Sequence, residues 1–125
     1  MIHGIFTGHS NFAVNAVESA EKIIGAQKNY STISNEDMSS DEIFKMLEEI
    51  VSKNADADHF FLFIDFYGSS ISLPAVRIKQ MNDARFTLVF GYNMPMILDF
   101  FIHRSKKSSG ELHSKLLEVG RMGIR

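Results

Sequence analysis

The sequence predicts an α/β domain in which a parallel sheet is covered by helices on both faces. Three observations lead there. Residues 59–64, His-Phe-Phe-Leu-Phe-Ile, form a continuous apolar run ending at Asp65, as expected of a central parallel strand buried on both faces. Short apolar stretches alternate along the chain with longer ones whose apolar residues recur at helical spacing. Glycines close the first strand, the first helix and the last strand, at Gly8, Gly25 and Gly91.

Met1 to Thr7 is short and mostly apolar and reads as a buried strand. From Asn11 to Gly25 the apolar residues Phe12, Ala13, Ala16, Val17, Ala20, Ile23 and Ile24 keep helical spacing; Ser10 is expected to cap the start and Gly25 to stop the helix. Tyr30 to Ile33 is a polar candidate for the second strand. Asp41 to Val51 repeats the helical pattern, with Ser39 or Ser40 as cap and Asp41 and Glu42 suited to the positive first turn. After the central strand, Gly68-Ser69-Ser70 opens a helix running to about Met81. Pro74 requires that helix to start near Ser70 to Ser72, since proline is tolerated only in a first turn. Arg85 to Phe90 is the fourth strand. Asn93 to His103, with Pro95 near its start, and Glu111 to Gly120 are helices, followed by a basic tail, Arg121 to Arg125. Right-handed crossovers favour a flavodoxin-like three-layer sandwich with strand order 2-1-3-4, formed as a single domain over residues 1–125.

The bulk properties narrow the function. A chain of 125 residues can bury a core without a metal or disulfide staple, and it has no cysteine, which excludes thiolate chemistry and fits a reducing compartment. A net charge of -2 gives nucleic-acid binding little electrostatic support. The cluster Arg104-Ser105-Lys106-Lys107 reads as a solvated loop or a helix end, where cations are favoured. No stretch approaches the roughly 20 apolar residues of a membrane span. The first residues lack the basic leader of a signal peptide, so a soluble, cytoplasmic protein is expected.

Strand order 2-1-3-4 puts the topological switch point, where such folds bind ligands, between the first and third strands. Their carboxyl ends carry Gly8-His9-Ser10 and Asp65. A carboxylate holding one imidazole nitrogen leaves the other free as a nucleophile and stabilises the charge that arises when a group is attached. Gly68, Ser69 and Ser70, ahead of a helix, could receive phosphoryl oxygens on amides and hydroxyls. Each feature has an ordinary reading too: a loop histidine, a capping acid, a common helix start. Their convergence on one crevice makes the case for phosphoryl transfer, which needs mostly positioning and electrostatics. His3, inside the first strand, is expected to be a packed or an edge residue. His59, His103 and His113 lack metal-ligand spacing, and no metal site is expected.

Gly4-Ile5-Phe6-Thr7-Gly8-His9-Ser10 resembles the opening strand and active-site histidine of the A components (EIIA) of mannose, fructose and sorbose-type sugar phosphotransferase systems (PTS). Phe63 to Ser70 resembles the family's Asp-x-x-Gly-Gly-Ser segment, Gly91 to Met96 its Gly-x-Asn-x-Pro-Met turn, and Gly120 to Ile124 its Gly-Arg-x-Gly ending. The matches occur in order over nearly the whole chain. The resemblance implies a phosphoryl group arriving from the histidine phosphocarrier HPr, resting on His9 and passing to an EIIB component, with EIIC and EIID in the membrane beyond. It implies Asp65 as orienting acid, Ser70 as a hydroxyl near the phosphoryl group, and no dissociable cofactor. It also implies a homodimer that exchanges a C-terminal strand, here about Met122 to Arg125. Ser69 stands where the family usually has a second glycine, and Ile71 where many members have proline.

Other readings stay open at this level. The phosphotransfer subunit of dihydroxyacetone kinases also has a His-Ser start, though the Asn-Met-Pro-Met turn and Gly-Arg ending favour the sugar transporter. A flavin-binding module is faintly suggested by Thr7, Ser10 and Asn11. A receiver domain fits poorly without an acidic pair after the first strand. A hydrolase triad of Ser70, His9 and Asp65 lacks the nucleophile elbow.

Overall fold

The computed structural model describes residues 1–125 and contains four strands, β1 (Ile2–Gly8), β2 (Tyr30–Ser34), β3 (His59–Ile64) and β4 (Phe86–Phe90). Five α-helices, α1 (Phe12–Ile24), α2 (Ser40–Lys53), α3 (Ser72–Met81), α4 (Met94–His103) and α5 (Ser109–Met122), complete it, with a 3₁₀ turn at Asp83–Arg85. The sheet is parallel throughout in the order β2-β1-β3-β4, as expected. No helix is long and apolar enough to cross a membrane.

Period-two alternation along the central strands divides the core. Phe60, Leu62 and Ile64 of β3 join Ile5, Ile33, Ile43, Phe44, Leu47, Ala75 and Ile78 on the face covered by α2 and α3. Phe61 and Phe63 join Phe6, Val17, Ile97, Phe100 and Leu116 on the face covered by α1, α4 and α5. Phe6 and Phe63, cross-strand neighbours in β1 and β3, stack with ring centroids 4.5 Å apart. The central strand is thus apolar at successive residues because both of its faces are covered.

The helix starts differ in one instructive way. Ser39 and Ser108 form full capping boxes with Glu42 and Glu111, and Asn93 caps α4 by accepting from the Met96 amide at 3.2 Å. Ser10, expected to cap α1, does not. It lies in left-handed backbone at φ 51°, and Asn11 takes the cap position without a side-chain bond. The tight turn after β1, closed by Phe12 N–H donating to His9 O at 3.1 Å, imposes that conformation.

Within the single chain α5 continues through Met122, and Gly123 N–H donates to Val119 O at 3.0 Å, closing the helix. The last matched motif packs within the chain. Asn93 Nδ2 donates to Gly120 O at 2.9 Å, and a Cβ at Gly120 or Gly123 would come within 2.7 Å of the side chains of Met96 and Pro95. The Asn-Met-Pro-Met turn and the Gly-Arg-Met-Gly ending are therefore two halves of one close contact.

Of the two expectations for His3, the packed one holds: it lies in an interior strand of the sheet. It is 2% exposed, with Nε2 2.9 Å from Ser31 Oγ and Nδ1 unpaired. Burial, reinforced by the Arg104 charge against a smaller opposing effect of Asp56, lowers its pKa to about 4. Between that value and the roughly 6.5 of an unfolded histidine, the unfolded chain binds the extra proton, so stability falls as pH falls. Urea unfolding should show a loss of about 2 kcal/mol from pH 7 to pH 5 attributable to this group. His59 and His113 are shifted down by burial as well, so His3→Leu should shrink the slope without removing it. An unchanged slope in that variant would contradict the assignment.

Candidate active site

His9 is the first residue beyond β1 and Asp65 the first beyond β3. These strands are adjacent, with Phe6 paired to Phe63, and the same register carried two residues on sets Gly8 beside Asp65. The result is a short bond between residues far apart in sequence. His9 Nδ1 lies 2.7 Å from Asp65 Oδ2, and the His9 backbone N–H donates to the same oxygen at 3.1 Å. The other carboxylate oxygen accepts the Phe66 N–H at 3.0 Å. A carboxylate only accepts, so the proton of the neutral ring sits on Nδ1 and the lone pair on Nε2.

Burial is unequal in a useful sense. The Asp65 side chain is 10% exposed and that of His9 49%, so the acid is recessed and the ring is presented to solvent. Phe66 lies nearly parallel to the imidazole, 23° between planes and 5.5 Å between centroids, and is itself half exposed. Below the pair, Thr7 Oγ1 donates to Phe63 O at 2.8 Å and the Tyr92 hydroxyl donates to Thr7 O at 2.9 Å. Burial first, and then the charge of Asp65, push the Tyr92 phenol well above its ordinary pKa, so it remains a proton donor to that carbonyl. These bonds tie β1 to β3 and to the turn before α4 immediately beneath the histidine.

The Gly68-Ser69-Ser70 segment is a turn ahead of α3, which begins at Ser72 with Pro74 in its first turn. Its members are not equivalent. Gly68 has φ 89°, a left-handed conformation suited to glycine, and its amide donates to Ser72 Oγ at 3.2 Å. Ser69 is buried, and its hydroxyl accepts the Ile71 amide at 3.3 Å, so that oxygen braces the turn. Ser70 is exposed, and its hydroxyl accepts from Asn35 Nδ2 at 2.8 Å. Ser70 thus bonds to Asn35, and the hydrolase grouping lacks the serine–histidine bond it would need.

Asn35, Phe66 and Tyr92 were not singled out for this site by the sequence. Asn35 follows the weakest strand and carries no motif, and the stacking of Phe66 depends on a rotamer. No group of acidic or histidine side chains is placed to hold a metal ion.

The family model for the PTS system fructose IIA component (EIIA-man) matches residues 4–117. The chain belongs to this EIIA family of sugar phosphotransferase systems. Solved structures agree at the level of fold. An EIIA component from Streptococcus agalactiae superposes with a TM-score of 0.91 at 23% identity, covering 100% of this chain and 96% of that one. A putative phosphoenolpyruvate-dependent sugar PTS permease from Klebsiella pneumoniae gives 0.84 at 24% identity, covering 99% and 89%. A mannose/sorbose-specific IIA subunit from Enterococcus faecalis gives 0.85 at 17%, covering 98% and 92%. No curated protein matches the chain by sequence. EIIA components are phosphotransfer proteins, and membership sets the flavin, receiver and hydrolase readings aside.

Proposed function

We propose that this EIIA domain, working as one unit over residues 1–125, takes a phosphoryl group from phospho-HPr onto Nε2 of His9 and passes it to an EIIB component. The observation that carries the reading is the 2.7 Å contact between Asp65 and Nδ1, which leaves Nε2 as the exposed nucleophile. In the transfer, the Nε2 lone pair forms a bond to phosphorus as the bond from phosphorus to the donor histidine nitrogen breaks, its electron pair leaving with that ring. The His9 ring keeps its Nδ1 proton and gains cationic character, which the Asp65 carboxylate offsets from a recessed position. Transfer to EIIB reverses the same motion, and EIIC and EIID complete sugar uptake in the membrane.

Ser70 is the hydroxyl offered to the phosphoryl oxygens, while Gly68 and Ser69 shape the turn that presents it. The reading requires no cofactor or metal and places the protein in the cytoplasm. Exposed Met122 and Ile124 at the tail support a homodimer formed through the C-terminal region.

Incubation with phosphoenolpyruvate, enzyme I and HPr tests the proposal. The chain should acquire one acid-labile, alkali-stable phosphoryl group, dependent on HPr. Absence of labelling, or an acid-stable linkage, would overturn it.

A further inference from the structure

We infer that Asn35 is a positioning residue that aims the Ser70 hydroxyl at the phosphoryl group. The inference rests on the phosphoryl-transfer reading above and extends it to a residue outside the strands that carry His9 and Asp65.

Asn35 sits just past the end of β2, and its backbone is held on both sides. Its N–H donates to Gly8 O at 3.2 Å, closing the β1–β2 pairing at Gly8 and Ser34, and its carbonyl accepts from Met38 N–H at 3.1 Å. Gly8 immediately precedes His9, so the bond that anchors Asn35 also ties it to the nucleophile's own strand. From this anchor the side chain reaches to Ser70 Oγ at 2.8 Å. Asn35 therefore bridges the end of β1 to the turn after β3, the two segments that flank the proposed phosphoryl position.

The chemistry follows from donor and acceptor capacity. A serine hydroxyl has one proton and two acceptor lone pairs, and the asparagine amide nitrogen can only donate. With Asn35 occupying a lone pair, Ser70 keeps its single proton to donate to another acceptor, and a phosphoryl oxygen is a strong one. The amide also removes rotational freedom from a side chain that is otherwise exposed, so less ordering remains for the moment of transfer. Asn35 need not touch the phosphoryl group for this; it acts through Ser70.

The test is a double-mutant cycle on the rate of phosphoryl transfer from phospho-HPr to His9, with urea unfolding run alongside. Asn35→Ala should slow transfer about tenfold in the otherwise native protein, a smaller loss than removal of a whole charge-stabilising donor. The same substitution should have no further effect in a Ser70→Ala background, because the residue it positions is gone. Asn35→Asp keeps the shape and replaces the donor by an acceptor that captures the Ser70 proton, so it should be slower than Asn35→Ala. A merely structural role would instead slow both backgrounds equally and follow the change in unfolding midpoint. Equal slowing, or no slowing in Asn35→Ala, overturns the inference while leaving the His9 reading intact. Absence of labelling in the unaltered protein overturns the His9 reading, and this inference with it.

Discussion

His9→Gln should abolish phosphoryl uptake from phospho-HPr, with the rate expected to fall at least about 10³-fold, the scale for removal of a nucleophile. The fold should survive. The ring lies half exposed beyond the end of β1, so its loss leaves no core cavity, and the unfolding free energy should shift by no more than about 1 kcal/mol. Glutamine keeps a polar side chain that can still reach Asp65 but has no nucleophilic ring nitrogen. Pulse labelling with radioactive phosphoenolpyruvate, enzyme I and HPr reads the result directly. Native-like unfolding together with normal labelling would show that another residue carries the phosphoryl group.

Asp65→Ala should slow transfer about 10²-fold, within the upper range for loss of a group that orients a reactive histidine. Three donors converge on this carboxylate: the His9 ring, the His9 amide and the Phe66 amide. Truncation leaves the ring free to rotate, removes the preference for the proton on Nδ1, and withdraws the charge that offsets the phosphorylated imidazole. The lost hydrogen bonds should also cost about 1–3 kcal/mol of stability, measurable by urea titration, which is small enough for the variant to remain folded. Asp65→Asn separates the effects. Its amide oxygen can still accept from Nδ1 and hold the ring, but no charge remains, so a transfer rate between those of the parent and Asp65→Ala is expected. If both variants transfer at the parent rate, Asp65 has no part in the reaction.

The fold was legible in the sequence because its signals are local. Five successive apolar residues from Phe60 to Ile64 suit a strand covered on both faces, and the helical spacing in residues 12–24 and 40–53 needs no tertiary contact to be recognised. Element ends were read less well where competing local signals existed. Ser10 looked like a helix cap, but the turn that presents His9 needs a left-handed residue there. Arg85 looked like strand, but it closes a 3₁₀ turn, from which its guanidinium reaches Ala57 O at 2.9 Å.

The sequence by itself determined the alternation of strands and helices, the central position of β3, and the placing of His9 and Asp65 at two strand ends facing one crevice. Those follow from periodicity and from the rule that parallel strands end on the same side. The tertiary structure alone decided which imidazole nitrogen is held, that Ser69 braces its turn while Ser70 stays exposed, and that Asn35 reaches across from β2. Each of these is a hydrogen bond of about 3 Å whose existence depends on register, backbone angle and rotamer together. His9 and Asp65 are 56 positions apart, and Asn35 and Ser70 are 35 apart. No local pattern encodes such a distance; the packing of β1 between β2 and β3 creates it.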